Sequence, residues 1–101
     1  MSNSVFQSVI IQLKEITDRS FGGIDTEGTV VSCTDMSLLG ERWSDAALKV
    51  GNASETIVTF GQKTFKAIIG NSNYFEYAVF CTGDDEQAKA YCNLAYIALN
   101  D

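Results

Sequence analysis

The feature that most constrains this chain is the succession of short β-rich runs between residues 21 and 81. Each run carries β-branched or aromatic residues and ends at turn residues, which predicts five strands: FGGID, TVVSC, ETIVTF, TFKAIIG and YFEYAVFC. Three connections are short, through DTEG, GQK and GNSN, so the strands that they join should be antiparallel. Only the second and third runs are far apart, by about twenty residues. The chain therefore has one crossover among otherwise local connections.

The first two runs, FGGIDTEGTVVSC, contain three glycines and invite comparison with a phosphate-binding loop. Such a loop places its glycines between a strand and a helix, whereas here a second strand follows. Asp25 and Gly28 have the chemistry of a tight turn, which predicts a hairpin. Gly22 and Gly23 then lie within a strand, which they weaken unless something packs closely against them.

Helical periodicity predicts helices before, within and after these strands. Apolar residues between positions 5 and 16 recur on one helical face, with Ile11 on the opposite face. The crossover segment TDMSLLGERWSDAALKVGNAS contains two helix starts, which predicts two short helices. Asp84 followed by Gln87 is a capping-box pattern and predicts a last helix that runs to Leu99.

The last strand determines the expected arrangement of the sheet. Its alternation places Tyr74 and Phe80 on one face and Phe75 and Tyr77 on the other. A strand that is apolar on both faces is typical of the centre of a sheet. We therefore predict a single α+β domain over residues 1–101, with a five-stranded antiparallel sheet in the order 2-1-5-4-3. The N- and C-terminal helices should pack on one face, and short crossover helices or a ligand should cover the other.

The predicted last helix is apolar around most of its circumference, since only Lys89, Asn93 and Asn100 form a polar strip. One face of a sheet cannot cover such a helix. Its remaining surface should meet the first helix, a second subunit or further chain. We expect a homodimer through the terminal helices, and we expect residues 1–101 to be a fragment of a longer protein.

Composition argues against several classes of function. Seven basic and thirteen acidic residues give a net charge of −6, and the basic residues are scattered, so this domain should not bind nucleic acid directly. No apolar run approaches the roughly 20 residues of a membrane helix, and no signal peptide opens the chain. The cysteines form no C-x-x-C pair and should be buried reduced thiols, which favours a cytoplasmic protein.

The chain contains no histidine, which removes histidine-dependent catalysis and histidine zinc sites. We therefore expect no enzymatic activity, no metal and no cofactor. Arg42 and Trp43 are the leading candidates for a ligand site, because a guanidinium can clamp a carboxylate while an indole stacks on a planar group. Tyr77, Cys33 and Asp35 complete the candidate ligand-binding set. The alternative is that Trp43 closes the edge of the core and that the aromatic residues are core residues.

The order of elements is similar to that of the PAS/GAF/profilin-like sensor folds. Within it, residues 14 to 45 resemble the start of the sensor region in bacterial transcription regulators of the PucR and sugar-diacid regulator (CdaR) type. The residues that carry this resemblance are Gly23–Asp25, Glu27–Gly28, Val30–Ser32, Asp35 and Leu39–Gly40. The resemblance implies a non-enzymatic module that binds a small-molecule effector and dimerises, followed by a helix-turn-helix domain. The chain lacks the histidines and the longer crossover that diacid sensors often have.

A second family shares this order of elements. Roadblock/LC7 domains also open with a D..G hairpin, and this resemblance implies a homodimeric scaffold that binds partner proteins or a small GTPase. Their sheets pair edge to edge across the dimer, which requires an exposed strand edge.

Overall fold

The computed structural model of the chain describes residues 8, 11–15, 17–55, 57–69 and 75–100. Strands β1 to β5 span Phe21–Ile24, Val30–Cys33, Ile57–Phe60, Lys63–Ile69 and Phe75–Thr82. A short 3-10 helix at Met36–Leu38 and helix α1 at Ser44–Asn52 form the crossover, and helix α2 covers Glu86–Asn100. The two predicted crossover helices are thus confirmed.

The strands form one antiparallel sheet in the order β2-β1-β5-β4-β3. This is the predicted order, and the α+β fold class is confirmed. Helix α2 packs on β4 and β5 from one side, and α1 approaches β3, β4 and β5 from the other.

The sheet separates two apolar clusters. The cluster on the α1 face contains the large buried residues Ile24, Val30, Val58, Phe65, Phe75 and Phe80. The cluster on the α2 face contains Leu13, Phe21, Val79, Cys81, Ala88, Cys92 and Ala95. Leu13 belongs to the helical residues 11–14, so this segment covers the same face as α2, as predicted. The other residues of the predicted helix over positions 5 to 16 lie outside the described ranges, apart from Ser8 and Glu15.

Strand β5 does not alternate as the sequence predicted. Phe75 lies in the α1-face cluster, whereas Tyr77 packs against the α2-face cluster. The ladder with β4 shifts register between Ile68 and Ile69, which face Tyr77 and Phe75 respectively, so Glu76 is an extra residue in the ladder. The prediction that Phe75 and Tyr77 share a face was therefore wrong.

The cap of α2 also differs from the prediction by one residue. The Asp85 carboxylate accepts a hydrogen bond from the backbone N–H of Ala88 at 3.1 Å, and the helix begins at Glu86. Asp85 therefore occupies the capping position that the sequence assigned to Asp84. The same carboxylate pairs with Arg19 at 2.8 Å, which ties the segment before β1 to the start of α2.

A ring from the neighbouring strand covers the first glycine of β1. A Cβ atom at Gly22 would lie 2.7 Å and 2.8 Å from two ring carbons of Phe80, and it would also collide with the Ser32 carbonyl oxygen. Gly22 and Phe80 are direct partners in the ladder between β1 and β5. The glycine thus leaves room for the Phe80 ring in the α1-face cluster.

Candidate functional site

Backbone hydrogen bonds attach the crossover segment to the first hairpin. The N–H of Val30 donates to the Glu41 carbonyl at 2.8 Å, and the N–H of Trp43 donates to the Gly28 carbonyl at 2.8 Å. Thr29 and Arg42 form an isolated antiparallel bridge between these two bonds. These contacts place Arg42 and Trp43 beside the turn that precedes β2.

Gly28 is the close-approach position of this junction. It has a φ of +89°, and a Cβ atom there would lie 2.5 Å from the carbonyl carbon of Trp43. The left-handed backbone and the missing side chain both require glycine. The turn glycine that the sequence assigned to a hairpin therefore also positions the tryptophan.

The Trp43 indole is half-buried and lies between the core and a surface pocket. Its ring meets Phe80 nearly edge-on at a centroid distance of 4.9 Å and Phe65 at 6.3 Å. Its Nε1–H donates to Glu41 Oε1 at 2.9 Å, and Lys63 Nζ lies 4.7 Å from the ring centroid. Both interpretations of Trp43 from the sequence therefore describe part of its position, because it closes the core edge and also lines a cavity.

The pocket beside Trp43 has a volume of about 350 Å³. We call it the Trp43 pocket. It is lined by the crossover and α1 residues Arg42, Trp43, Ser44, Asp45 and Ala46 and by Phe60, Gly61, Lys63 and Phe65 from the β3–β4 hairpin. Its volume lies within the range typical of small-molecule sites.

Charged groups line the mouth of the Trp43 pocket. Arg42 pairs with Glu27 of the first hairpin, with 3.0 Å between Nη2 and Oε2, and both side chains are more than half exposed. Lys63 approaches the ring from the other hairpin, while Asp45 contributes one carboxylate from the first turn of α1. Trp43 stands at the N-cap of α1 and makes no side-chain capping bond to it.

The remaining predicted site residues lie elsewhere. Cys33 is buried in the α1-face cluster, where burial raises the pKa of its thiol. Asp35 is exposed and caps the 3-10 helix; its Oδ1 accepts hydrogen bonds from Ser37 Oγ at 2.6 Å and from the Ser37 N–H at 3.1 Å. These bonds lower the pKa of the Asp35 carboxyl.

Tyr77 packs against the α2-face cluster, on the side of the sheet opposite Trp43, and burial raises the pKa of its hydroxyl. Of the five predicted residues, the structure therefore brings only Arg42 and Trp43 together in one pocket. The assignment of Cys33, Asp35 and Tyr77 to the same site is corrected by this geometry. Phe60 and Lys63 lie in the pocket but were not predicted, because nothing local in the sequence marks them.

A second concavity lies along strand β3. A cleft of about 830 Å³ separates this edge strand from α1 and exposes Leu48 and Phe60. All four residues of β3 line it. The sequence shows no clear signal for this cleft, because it depends on how far α1 stands from the sheet edge.

Within the described part of the chain, no group of three or more His, Cys, Asp or Glu side chains is arranged to hold a metal ion. None of the helices among the described residues has the length and apolar character to cross a membrane.

Comparison with known proteins gives a likeness of fold. No protein-family model and no curated protein sequence matches the chain. Among solved structures, the chain is similar to an extracellular ligand binding receptor from Desulfohalobium retbaense DSM5692, with a TM-score of 0.54 at 16% sequence identity. The similarity covers 76% of this chain and 14% of the receptor chain, so this chain corresponds to a small part of the receptor's length.

Proposed function

We propose that the domain is a small-molecule sensor module in which the Trp43 pocket receives the effector. The observation that carries this proposal is the pocket itself, a cavity of about 350 Å³ with an aromatic wall and two cationic side chains at its mouth. Pockets that combine an apolar lining with a few polar groups are the usual form of a ligand site.

The position of the pocket suits a sensor. Its lining comes from the crossover, from the start of α1 and from the β3–β4 hairpin. Arg42 also touches the first hairpin through Glu27. An effector in this pocket would contact segments that are remote in sequence, so binding could change how they are held together.

Two likenesses support the same proposal. The receptor with a similar fold is described as ligand binding. The hairpin that resembles the PucR and CdaR type sensor regions is the one whose Gly28 carbonyl holds Trp43. We therefore extend the proposal to a non-enzymatic sensor module of a bacterial transcription regulator of this type.

Trp43 is the single tryptophan of the chain, so its fluorescence reports directly on the pocket. A screen of small carboxylates, amides and nucleobases should find compounds that change this emission and raise the melting temperature. Phe60→Ala, within the pocket, should weaken their binding, whereas Met36→Ala, at an exposed residue outside the pocket lining, should not. If no compound changes either signal, the sensor proposal fails. The full reading frame tests the regulator assignment separately, since that assignment requires a helix-turn-helix after residue 101.

The sensor proposal includes a homodimer through the terminal helices. Leu94 and Ile97 on α2 are 49% and 61% exposed, and Ile11 on the N-terminal helical segment is 50% exposed. A second copy could cover these side chains, which would explain why the last helix is apolar on so many sides.

A homodimeric scaffold of the roadblock/LC7 kind is the second candidate, and strand β3 favours it. One sheet edge is occupied where Val30 exchanges backbone hydrogen bonds with Gly40 and Glu41. At the other edge, β3 pairs with β4 alone among the described strands, and its residues Ile57–Phe60 include no charged or proline residue that would block pairing. This edge could accept a strand from a second copy.

Sedimentation equilibrium of matched variants separates the two dimers. Ile97→Lys should dissociate a dimer that uses the terminal helices, and Thr59→Lys should leave it intact. The opposite result would favour the scaffold. A wild-type chain that stays monomeric at every concentration would contradict both dimers without affecting the effector pocket.

A further inference from the structure

We infer that the Trp43 pocket takes a small carboxylate with an apolar body, and that this carboxylate displaces Glu27 from Arg42. The inference rests on the proposed sensor function, and it adds the chemical class of the effector and the internal group with which the effector competes.

The charge at the pocket mouth points to an anion. The chain carries a net charge of −6, yet the charged residues that line the pocket are Arg42, Lys63 and Asp45, two cations and one carboxylate. Lys63 Nζ lies 4.7 Å from the centroid of the indole ring, so the ammonium is positioned at the pocket. An arriving carboxylate would therefore find a cation on each of the two segments that form the mouth.

The walls point to an apolar body. The aromatic surface of the pocket comes from Trp43, Phe60 and Phe65. Phe60 is 39% exposed, so a ligand can cover it. A ligand that covers this surface gains from burying apolar area. A hydroxyl-rich acid would lose hydration against the same rings, because the phenyl rings offer no hydrogen bonds and the indole N–H already donates to Glu41.

The Arg42–Glu27 ion pair is weak enough for a ligand carboxylate to replace Glu27. It has a single contact, 3.0 Å between Nη2 and Oε2, and its side chains are 58% and 66% exposed, so solvent screens it strongly. A ligand carboxylate anchored by aromatic contacts could engage the guanidinium in a bidentate way, which is the stronger geometry.

Release of Glu27 would leave the hairpin turn in place. Asp25 Oδ1 accepts hydrogen bonds from the N–H groups of Glu27 and Thr29 at 2.9 Å and 3.0 Å, and these bonds do not depend on the Glu27 side chain. The Gly28 carbonyl likewise keeps its bond to the Trp43 N–H. Displacement therefore frees one side chain and breaks the one ion pair of Arg42 with the first hairpin, while the backbone junction persists.

Benzoate is a suitable probe, with benzamide as its neutral counterpart and galactarate as a hydroxyl-rich dianion. Titrations followed by Trp43 fluorescence and by calorimetry should show that benzoate binds more tightly than either. Arg42→Gln should raise the benzoate Kd about tenfold or more, because charge-assisted hydrogen bonds contribute substantially. Lys49→Gln is the matched control, because it removes a cation from the cleft between β3 and α1 and not from the Trp43 pocket.

Glu27→Gln tests the competition. It should lower the benzoate Kd about two- to fivefold, the range expected when an exposed ion pair no longer has to be broken. Glu55→Gln removes the same charge from the cleft between β3 and α1 and should change the benzoate Kd less. Equal effects of the two substitutions would overturn the displacement of Glu27 and reduce the effect to net charge.

The inference of an apolar carboxylate can be refuted while the sensor function stands. If benzamide or galactarate binds at least as tightly as benzoate, the inference of an apolar carboxylate is overturned while the pocket still binds small molecules. If benzoate and every compound of the wider screen leave Trp43 and the melting temperature unchanged, the sensor function fails as well.

Discussion

Replacing Gly22 with alanine should destabilise the domain by about 2 kcal/mol, at the middle of the range for overpacked cores. The added Cβ would lie 2.7 Å and 2.8 Å from ring carbons of Phe80, whereas carbon atoms in favourable contact are about 3.5 to 4.0 Å apart. The ring cannot easily retreat, because it is 1% exposed and is bounded by Trp43 at 4.9 Å and Phe65 at 6.1 Å. The Ser32 carbonyl, on the paired strand, blocks the other direction.

Alanine also reduces the conformational entropy of the unfolded chain, which offsets the cost of the clash by about 0.4 to 1 kcal/mol. The predicted destabilisation of about 2 kcal/mol already includes this offset. Urea unfolding followed by far-ultraviolet circular dichroism and by Trp43 fluorescence measures the difference. For a domain of this size, the melting temperature should fall by roughly 8 to 16 °C. Gly40→Asn is a matched control, because a Cβ atom at Gly40 meets nothing within 4 Å and asparagine tolerates its positive φ.

A double-mutant cycle identifies the obstacle. Phe80→Leu removes the ring, so Gly22→Ala should cost less in that background than in the wild type. If the two changes add, or if Gly22→Ala alone leaves the unfolding midpoint at the wild-type value, then the Phe80 ring does not explain the glycine.

Three further predictions concern the rest of the domain. The Arg19 guanidinium lowers the pKa of Asp85, so the pKa in the folded state lies below the unfolded value near 3.9. The stability that this ion pair contributes is therefore present above about pH 4 and is lost as the pH falls through the folded pKa. Asp85→Asn should therefore flatten the acid limb of a plot of urea midpoint against pH, and an unchanged limb would refute this. Burial raises the pKa of Cys81 to about 11 and that of Cys92 to about 12, and Cys33 is buried as well, so none of the three thiols should react with Ellman's reagent until urea unfolds the chain. Rapid reaction of the native protein would contradict this burial. Gly28→Ala should displace Trp43, shift its emission and lower the melting temperature, because the new Cβ meets the Trp43 carbonyl group; an unshifted spectrum would argue against this contact.

The fold was largely predictable because its determinants are local. Turn residues between short β-rich runs predicted the hairpins, and the single long connection predicted the crossover. The order of the strands followed once β5 was placed at the centre on account of its apolar character on both faces. The facing of Phe75 was not predictable in the same way, because the extra residue in β5 carries no signature in the sequence.

The candidate site was predictable only in part. Arg42 and Trp43 are adjacent in sequence, and the structure keeps them adjacent in the pocket. Phe60 and Lys63 reach the same pocket from a hairpin that is distant along the chain, and only the packing of α1 against the sheet brings them there. Cys33 ends β2 and Tyr77 lies on β5, and the tertiary structure places their side chains against separate clusters on opposite faces of the sheet.

The sequence by itself determined the crossover helices, the last helix and the strands, since periodicity and turn chemistry act between residues that are near neighbours along the chain. The order of the strands followed from the apolar character of β5 on both faces. Only the tertiary structure decided which side chains share the Trp43 pocket and that Arg42 forms an ion pair with Glu27. Those contacts depend on the path of the crossover, and the facing of Phe75 depends on one bulge in β5. Both are set by how distant segments pack and not by any local pattern.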